Sequence, residues 1–501
     1  MLYKSTRGAE GMVTSAFAIK LGIAADGGLY VPVHFPKFDQ DELLSMQDLS
    51  YNSLAAKILA QYLTDYNEFE ITKMLAAAYG DDKFGGDEPT PLSVINLNLG
   101  ILELWHGPTC AFKDMALQLL PHLLTAAVRK TGENHKVVIL VATSGDTGKA
   151  ALEGFKNVDG TEVIVFYPSQ GVSATQRLQM VTQDGDNVKV FGIEGNFDDA
   201  QRAVKEIFTD GDFGKELEDK GFILSSANSI NWGRLLPQIV YYFSAYFDAV
   251  KQNAVNFGDK VNFVVPTGNF GDILAGYYAK QMGLPVHKLI CASNSNAVLT
   301  EFLSSGTYSK NREFVKTISP SMDILVSSNL ERLLYDVSGL QGNQVASYMD
   351  DLQKKGCYTI ARHEYKNIRD TFVGYKVTEA ETLDRIQLFY AVNNYLLDPH
   401  TAVAVDAANK YRNEYPDDGC FNIVLSTASP YKFSQDVLGA VAKDCQAGNV
   451  AECMEALQEK TGTKAPKQLL GLEQRPVLHP EVIGVAEMRE KIRDFLMKNE
   501  K

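Results

Sequence analysis

Cysteine, positive charge and long apolar runs are all in short supply in this chain, and each shortage closes off a class of function. The six cysteines, Cys110, Cys291, Cys357, Cys420, Cys445 and Cys453, form no CxxC pair, no His-linked zinc spacing and no dense framework of the secreted kind. They read as reduced thiols. Lys and Arg number 48 against 62 Asp and Glu, a formal charge of -14. Such a balance argues against a nucleic-acid or anionic-membrane surface, which must neutralise phosphates with clustered cations. Any anionic ligand must instead meet a local pocket of backbone N–H groups and a few cations. No run approaches the roughly 18 apolar residues of a membrane span, and the opening MLYKSTRGAEGMVTSAF lacks the apolar core of a signal peptide. The eight histidines are scattered without a ligand cluster, so no metal is expected. The expectation is a soluble cytoplasmic protein with no nucleic-acid or membrane partner.

What the chain does have is ordinary globular material, 45% hydrophobic and 22% charged over 501 residues, enough for two or three domains. From about Leu102 onward, short β-branched runs alternate with stretches of helical period, the pattern of strands covered by helices on both faces. The expected strands are Val137 to Ala142, Glu162 to Tyr167, Val188 to Ile193, Phe222 to Ser225, Asn262 to Val265, Lys288 to Ala292 and Phe421 to Leu425. Helices are expected between them at Met115 to Arg129, Thr147 to Phe155, Asp198 to Phe208, Arg234 to Lys251 and Asp272 to Met282. Asp198 and Gln201 have capping-box spacing. The first part differs, with GGLYVP at Gly27 to Pro32 as a turn and short strand, then helical period from Ser53 to Tyr79. The fold class expected is α/β, two open twisted domains plus an N-terminal element. The boundaries expected are 1–95, 96–225 and 226–501, with a mainly helical insertion around 300–398.

Three glycine-bearing turns each follow an expected strand and open a helix: ATSGDTGKAA from Ala142, SANSINWGR from Ser226 and PTGNFGDILAG from Pro266. In an open α/β sheet, ligands settle at the carboxyl ends of strands, where such turns present N–H groups. The sharpest for phosphate is Thr267-Gly268-Asn269-Phe270-Gly271-Asp272, whose two glycines let successive amides point into one concavity. On spacing alone, phosphate binding and a plain turn both remain open. Neither this turn nor the one at Ala142 fits the Rossmann fingerprint or Walker A, since Ala150 follows Gly148-Lys149. One further stretch, LWHGPTCAFKD, ends on Lys113 at a helix start. A lone lysine is usually a solvated charge, but one near a helix N-terminus beside Phe112 and Ala111 can have its ammonium form disfavoured, as nucleophilic chemistry requires.

The opening STRG with GGLYVP, then HGPTCAFKD, SGDTGKAA, ANSINWGR and GNFGD, in that order along the chain, together resemble the threonine synthase family. The resemblance runs from Ser5 to about Ser434. It implies the tryptophan-synthase-β type of pyridoxal-phosphate fold, with the cofactor between two α/β domains. It implies Lys113 as the Schiff-base lysine and Gly268, Asn269, Phe270, Gly271 and Asp272 as the turn for the cofactor phosphate. Thr427 matches the hydroxyl facing the pyridine nitrogen, and Asp146 is implied near the ring hydroxyl. Ser144 and Thr147 match the turn that holds the substrate carboxylate; Asn231 and Arg234, with Asn228 and Ser229, match the segment near the substrate phosphate. Asp272 departs from the Asn that similar sequences often carry. A carboxylate would repel a phosphate, so Asp272 is expected to offer its N–H and turn its side chain away.

The activity implied converts O-phospho-L-homoserine and water to L-threonine and phosphate by γ-elimination and β-addition of water, the last step of threonine biosynthesis, in a monomer or homodimer. A dehydratase of the same fold would share Lys113 and the phosphate turn but not STRG, GGLYVP or SINWGR. A synthase-like phospho-lyase yielding a keto acid is closer. A silent relative would have no need of Lys113.

Overall fold

The computed structural model describes residues 1–8, 11–86, 88–143, 145–170, 172–442 and 447–498. Among the described residues the strands are, in chain order, β1 (Tyr3–Ser5), β2 (Tyr30–Pro32), β3 (Leu92–Asn96), β4 (Leu99–Glu103), β5 (Lys136–Ala142), β6 (Thr161–Pro168), β7 (Val188–Glu194), β8 (Phe222–Ser225), β9 (Val261–Pro266), β10 (Val286–Ser293), β11 (Thr307–Ser309), β12 (Cys357–Thr359), β13 (Phe372–Lys376), β14 (Phe421–Ser426) and β15 (Val482–Gly484). Two open sheets carry the body. One has the order β15-β7-β6-β5-β8 and is parallel throughout. The other, β13-β10-β9-β14-β4-β3, is parallel except for the β3–β4 hairpin. β6, β9 and β14 are buried at every residue, because helices cover both faces of their sheets and select unbroken apolar runs such as EVIVFY and FVV.

The expected α/β class therefore holds, and the seven expected strands form with ends shifted by at most two residues. The sheets cross the boundaries expected at 95 and 225. β3 and β4 join β14 in the six-stranded sheet, and β15 returns from the C-terminal part to pair with β7. Two expected helices are each divided, and proline accounts for both. The stretch from Met115 forms Asp114–Leu117 and Leu120–Lys130, with Pro121 in the first turn of the second. The stretch from Arg234 forms Trp232–Leu235 and Gln238–Lys251, with Pro237 at the junction. A proline brings no N–H for the preceding turn, so the hydrogen-bond ladder restarts there. The helix expected at Asp198 begins at Phe197, and its capping box pairs Asn196 with Asp199 instead. The region 300–398 is helical in large part, yet it also supplies β11, β12 and the edge strand β13, and a long irregular run before Leu330.

The N-terminal element packs onto the body through aromatic rings: Trp232 lies between Tyr3 and Tyr62, at centroid distances of 5.3 and 5.4 Å. Among the described residues, no helix is long and apolar enough to cross a membrane.

Candidate active site

The loop from Leu104 to Lys113 leaves the carboxyl end of β4 and is fastened to the segment that leaves β14. The Phe112 N–H donates to the Thr427 carbonyl at 2.8 Å, the Ser429 N–H donates to the Cys110 carbonyl at 3.1 Å, and Ala111 bridges Ala428. Asp114 folds the loop back on itself, accepting from the Thr109 N–H at 2.8 Å and the Thr109 hydroxyl at 2.7 Å. Gly107 is obligatory there, since a Cβ would fall 2.6 Å from the Asp114 side chain. Lys113 and Thr427, far apart in sequence, thus share one wall.

Lys113 Nζ lies in the pocket, 3.8 Å from Asp146 Oδ2, 3.4 Å from Ser321 Oγ and 4.8 Å from the centre of the Phe112 ring. Burial pushes its amine below the ordinary lysine value; Asp146 opposes this, while Lys432 and Arg234 reinforce it. The helix after Lys113 has only four residues, so burial and two neighbouring cations replace the helix end as the main cause. Asp146, at the start of helix Asp146–Phe155, accepts from Lys432 Nζ at 2.6 Å and Gln176 Nε2 at 2.9 Å. Burial works against that carboxylate, but Lys432 and Lys113 outweigh it and hold the group well below the usual carboxylate range. Lys149, the other lysine of this turn, is spoken for by Glu153 at 2.9 Å and by Gln183.

The turn after β9 closes the pocket. Phe270 takes a left-handed conformation with φ 64°, which turns the chain into helix Gly271–Gln281. Gly268 cannot carry a side chain, because a Cβ would lie 2.5 Å from the Ser321 carbonyl oxygen. The Asp272 carboxylate is turned into the protein as expected, accepting from Tyr241 at 2.6 Å and Tyr242 at 2.9 Å. Burial raises its pKa to about 6, against the lowering by the two tyrosine hydroxyls and Lys113.

Arg234 is buried, donates to the Ala227 carbonyl and leaves Nε without a partner; burial lowers its pKa to about 10, so it stays a cation at neutral pH. Asn231 is committed otherwise. Its side chain caps helix Trp232–Leu235 through the Gly233 N–H at 2.8 Å and donates to the Ile19 carbonyl at 2.9 Å. Thr147 sits half-buried in the first turn of its helix, and Ser144 lies outside the described residues.

Several contributors were not singled out from the sequence. Lys432 is fully buried, with Nζ on Asp146 and on the Thr109 carbonyl at 3.0 Å. Asn329 Nδ2 donates to the Ser229 and Asn269 carbonyls, each at 3.1 Å, and so ties the SINWGR turn to the GNFGD turn. Arg332 supports Asn329 and reaches the Tyr30 and Ile230 carbonyls at 3.0 and 2.6 Å. Lone lysines and asparagines outside a glycine turn carry no local signal, and the run from 310 to 329 falls within the expected helical insertion. The histidines hold one surprise. His287, Asp418 and Cys420 bring ligand atoms within 4.8 Å of one another, at the amino edge of the six-stranded sheet and away from Lys113. Asp418 is already engaged there, by His287 at 3.0 Å and Asn262 at 2.7 Å.

The arrangement fits a phosphorylated aldehyde cofactor on the chain's own evidence. A largely buried amine of lowered basicity meets a turn that admits no side chain at Gly268, and the buried Arg234 Nε, a donor suited to a phosphate, has no partner.

Comparison with known proteins agrees. The family described as "Threonine synthase N terminus" matches residues 2–79, "Pyridoxal-phosphate dependent enzyme" matches 86–426, and "Threonine synthase, C-terminal" matches 401–496. The threonine synthase of Pseudomonas aeruginosa is 42% identical over 438 residues, covering 87% of this chain and 90% of that protein. Human threonine synthase-like 1 is 41% identical over 85% of this chain, which spans only 57% of that longer protein. Among solved structures, the PLP-bound threonine synthase from Brucella melitensis is 37% identical, with a TM-score of 0.87 and 99% of both chains covered.

Proposed function

The chain belongs to the threonine synthase family of pyridoxal-phosphate-dependent lyases, and from that premise we propose that its pocket converts O-phospho-L-homoserine and water to L-threonine and phosphate. The observation that carries this reading is the buried Lys113 amine among Asp146, Lys432, Arg234 and Asp272, the four charged groups that act on it.

Lys113 is the residue to which the cofactor would attach, with the amides of Gly268 to Asp272 at its phosphate and the Thr427 hydroxyl at its ring nitrogen. When bound, pyridoxal phosphate supplies a conjugated electron sink for charge that develops on the substrate carbons. Because its ammonium form is disfavoured, Lys113 Nζ takes the α-proton as general base and returns it later. Asp146 stays anionic between Lys113 and Lys432, so it orients the amine without competing for that proton. The Arg234 guanidinium, with its unpartnered Nε, offers a donor to the substrate phosphate, and the amides around Thr147 offer donors to the carboxylate. Asn231 serves by shaping the Arg234 turn, its own side chain being spent on the cap. Phosphate leaves from the γ-carbon, and water adds at the β-carbon.

Incubation of purified protein with O-phosphohomoserine, assaying phosphate and threonine together, tests the reading; equimolar release of the two is expected. Lys113 and the Gly268 turn would equally serve one alternative, a synthase-like phospho-lyase. Phosphate released with ammonia and a keto acid, and no threonine, would establish that alternative.

A further inference from the structure

A hydroxyl beside the Lys113 amine comes from Ser321, in the short 3-10 turn Pro320–Met322 of the run between β11 and helix Leu330–Val337. Ser321 Oγ accepts a hydrogen bond from Lys113 Nζ at 3.4 Å and donates to Asp146 Oδ2 at 3.3 Å. Its backbone is held on two sides. The Ser321 carbonyl oxygen packs against Gly268, where any Cβ would approach to 2.5 Å, and the Ser321 N–H donates to His400 Nε2 at 3.1 Å.

His400 is built for that contact. It is 1% exposed, its ring meets Phe433 edge-on at 5.0 Å, and Nδ1 lies 2.9 Å from Asp398 Oδ1. Because Nε2 accepts the Ser321 N–H, the proton of the neutral ring sits on Nδ1 and is donated to Asp398. Asp398 is itself fixed as the cap of helix Pro399–Glu414, accepting from the His400 N–H at 2.9 Å and from Thr401. On the far side of Ser321, Asp323 Oδ1 accepts from Asn294 at 2.7 Å, Thr317 at 2.8 Å and Asn296 at 2.9 Å, so the run is pinned at both ends.

We propose that Ser321 is a further catalytic residue, whose hydroxyl orients the Lys113 amine for proton transfer, and that His400 and Asp398 are positioning residues that hold it there. The inference rests on Lys113 as the cofactor lysine. A lysine ammonium or amine on a four-carbon stem has many directions open to it, and ordering that stem costs rotamer entropy. Asp146 and Ser321 together restrict the nitrogen and leave its remaining direction for the substrate carbon. No bond forms or breaks at Ser321: its hydroxyl keeps its proton, and the α-proton travels only between the substrate carbon and Lys113 Nζ.

The test compares Ser321→Ala, Ser321→Thr, His400→Phe and His400→Gln as holoenzymes. Four measurements are made on each: cofactor content, kcat and KM separately, the pH midpoint of the visible absorption, and the peptide labelled after borohydride reduction. Ser321→Ala should keep full cofactor and lose on the order of 10- to 100-fold in kcat, as expected when a reacting group is misplaced. Its KM should change by less than roughly threefold, and its absorption midpoint should move, because the Lys113 nitrogen loses a neighbouring hydroxyl. Ser321→Thr, which retains the hydroxyl, should recover most of both. His400→Phe should resemble Ser321→Ala, and combining the two should cost little more than Ser321→Ala alone. His400→Gln, which keeps an acceptor for the Ser321 N–H, should recover activity and guards against a folding defect in His400→Phe. Wild-type kcat and midpoint in Ser321→Ala, or simple loss of cofactor from it, overturns the role of Ser321. Full additivity of the double variant overturns the positioning role of His400. Label on Lys113 with an unaltered Ser321→Ala sinks this inference alone, whereas label on another lysine sinks the reading beneath it as well.

Discussion

Lys113 and Asp272 carry opposite formal charges in one pocket, and burial acts against the charged form of each. For Asp272 this gives a signed prediction. Its folded-state pKa of about 6 stands above the ordinary 3.8, so the folded protein holds that proton more tightly than the unfolded chain does. The corresponding stability is fully present below about pH 4 and is lost as the pH rises through about 6. A gap of that size corresponds to roughly 3 kcal/mol. Asp272→Asn keeps an acceptor for Tyr241 and Tyr242 but has nothing to ionise. In thermal unfolding of the cofactor-free protein, the variant should gain on wild type between pH 4 and 6.5 and hold a constant lead above that; an equal difference at pH 4.5 and 7.5 would rule the account out. Thr427 is the second case at this scale. It is 6% exposed, and its carbonyl is used by Phe112 while its hydroxyl takes no partner among the described residues. Thr427→Val preserves shape and removes only that hydroxyl, so both turnover and the visible spectrum of the holoenzyme should change. A variant indistinguishable from wild type in both would leave Thr427 as a turn former.

At the scale of elements, the helix Leu330–Val337 does more than its eight residues suggest. Glu331 accepts from Arg7 through two bonds of 3.0 Å and from the Thr6 hydroxyl at 2.6 Å, while Arg332 serves the Tyr30 and Ile230 carbonyls and Asn329. The helix and Asn329 before it therefore tie the N-terminal element to the SINWGR and GNFGD turns. Glu331→Gln weakens a pair whose arginine is 28% exposed, so a loss of about 1 kcal/mol is expected. Arg332→Met strands buried carbonyls and should cost at least about 3 kcal/mol in denaturant unfolding, with weaker cofactor retention because Asn329 loses its support. Equal losses from the two would show that the helix acts by packing alone. None of this was legible in the sequence, for a physical reason. The strands buried on both faces announce themselves as runs such as VVILVA and VIVFY, and a glycine turn marks its own bend. A side chain acting on residues three hundred positions away, such as Glu331 on Thr6, leaves no local pattern. β3 and β15 were missed because LSVIN alternates at a sheet edge and VIG is too short, while β13 lies in a helical neighbourhood. The breaks at Pro121 and Pro237 could have been read from proline alone.

At the scale of the whole molecule, a net charge of -14 means that the long-range field works against two anionic ligands, the cofactor and the substrate. Each phosphate must then be held by short-range donors. The two proposed sets stand on turns that Asn329 joins: the amides of the Gly268 turn at the start of helix Gly271–Gln281, and the Arg234 guanidinium on the SINWGR turn. Their loss should nonetheless be separable. Gly268→Val drives a side chain against the Ser321 carbonyl, whose backbone is fixed by His400, so the turn must open and cofactor should be lost on gel filtration. Arg234→Ala leaves that turn intact and should yield a protein that retains its cofactor. It removes one charge-assisted contact, worth on the order of 1.5 to 3 kcal/mol, so the phosphohomoserine concentration needed for half-maximal turnover should rise roughly 10- to 150-fold. Salt adds a second reading of the same idea. Potassium chloride screens the unfavourable field of the whole chain more than it screens a buried guanidinium, so modest salt should lower the substrate requirement of wild type rather than raise it. An Arg234→Ala enzyme with the wild-type substrate dependence would remove Arg234 from the site.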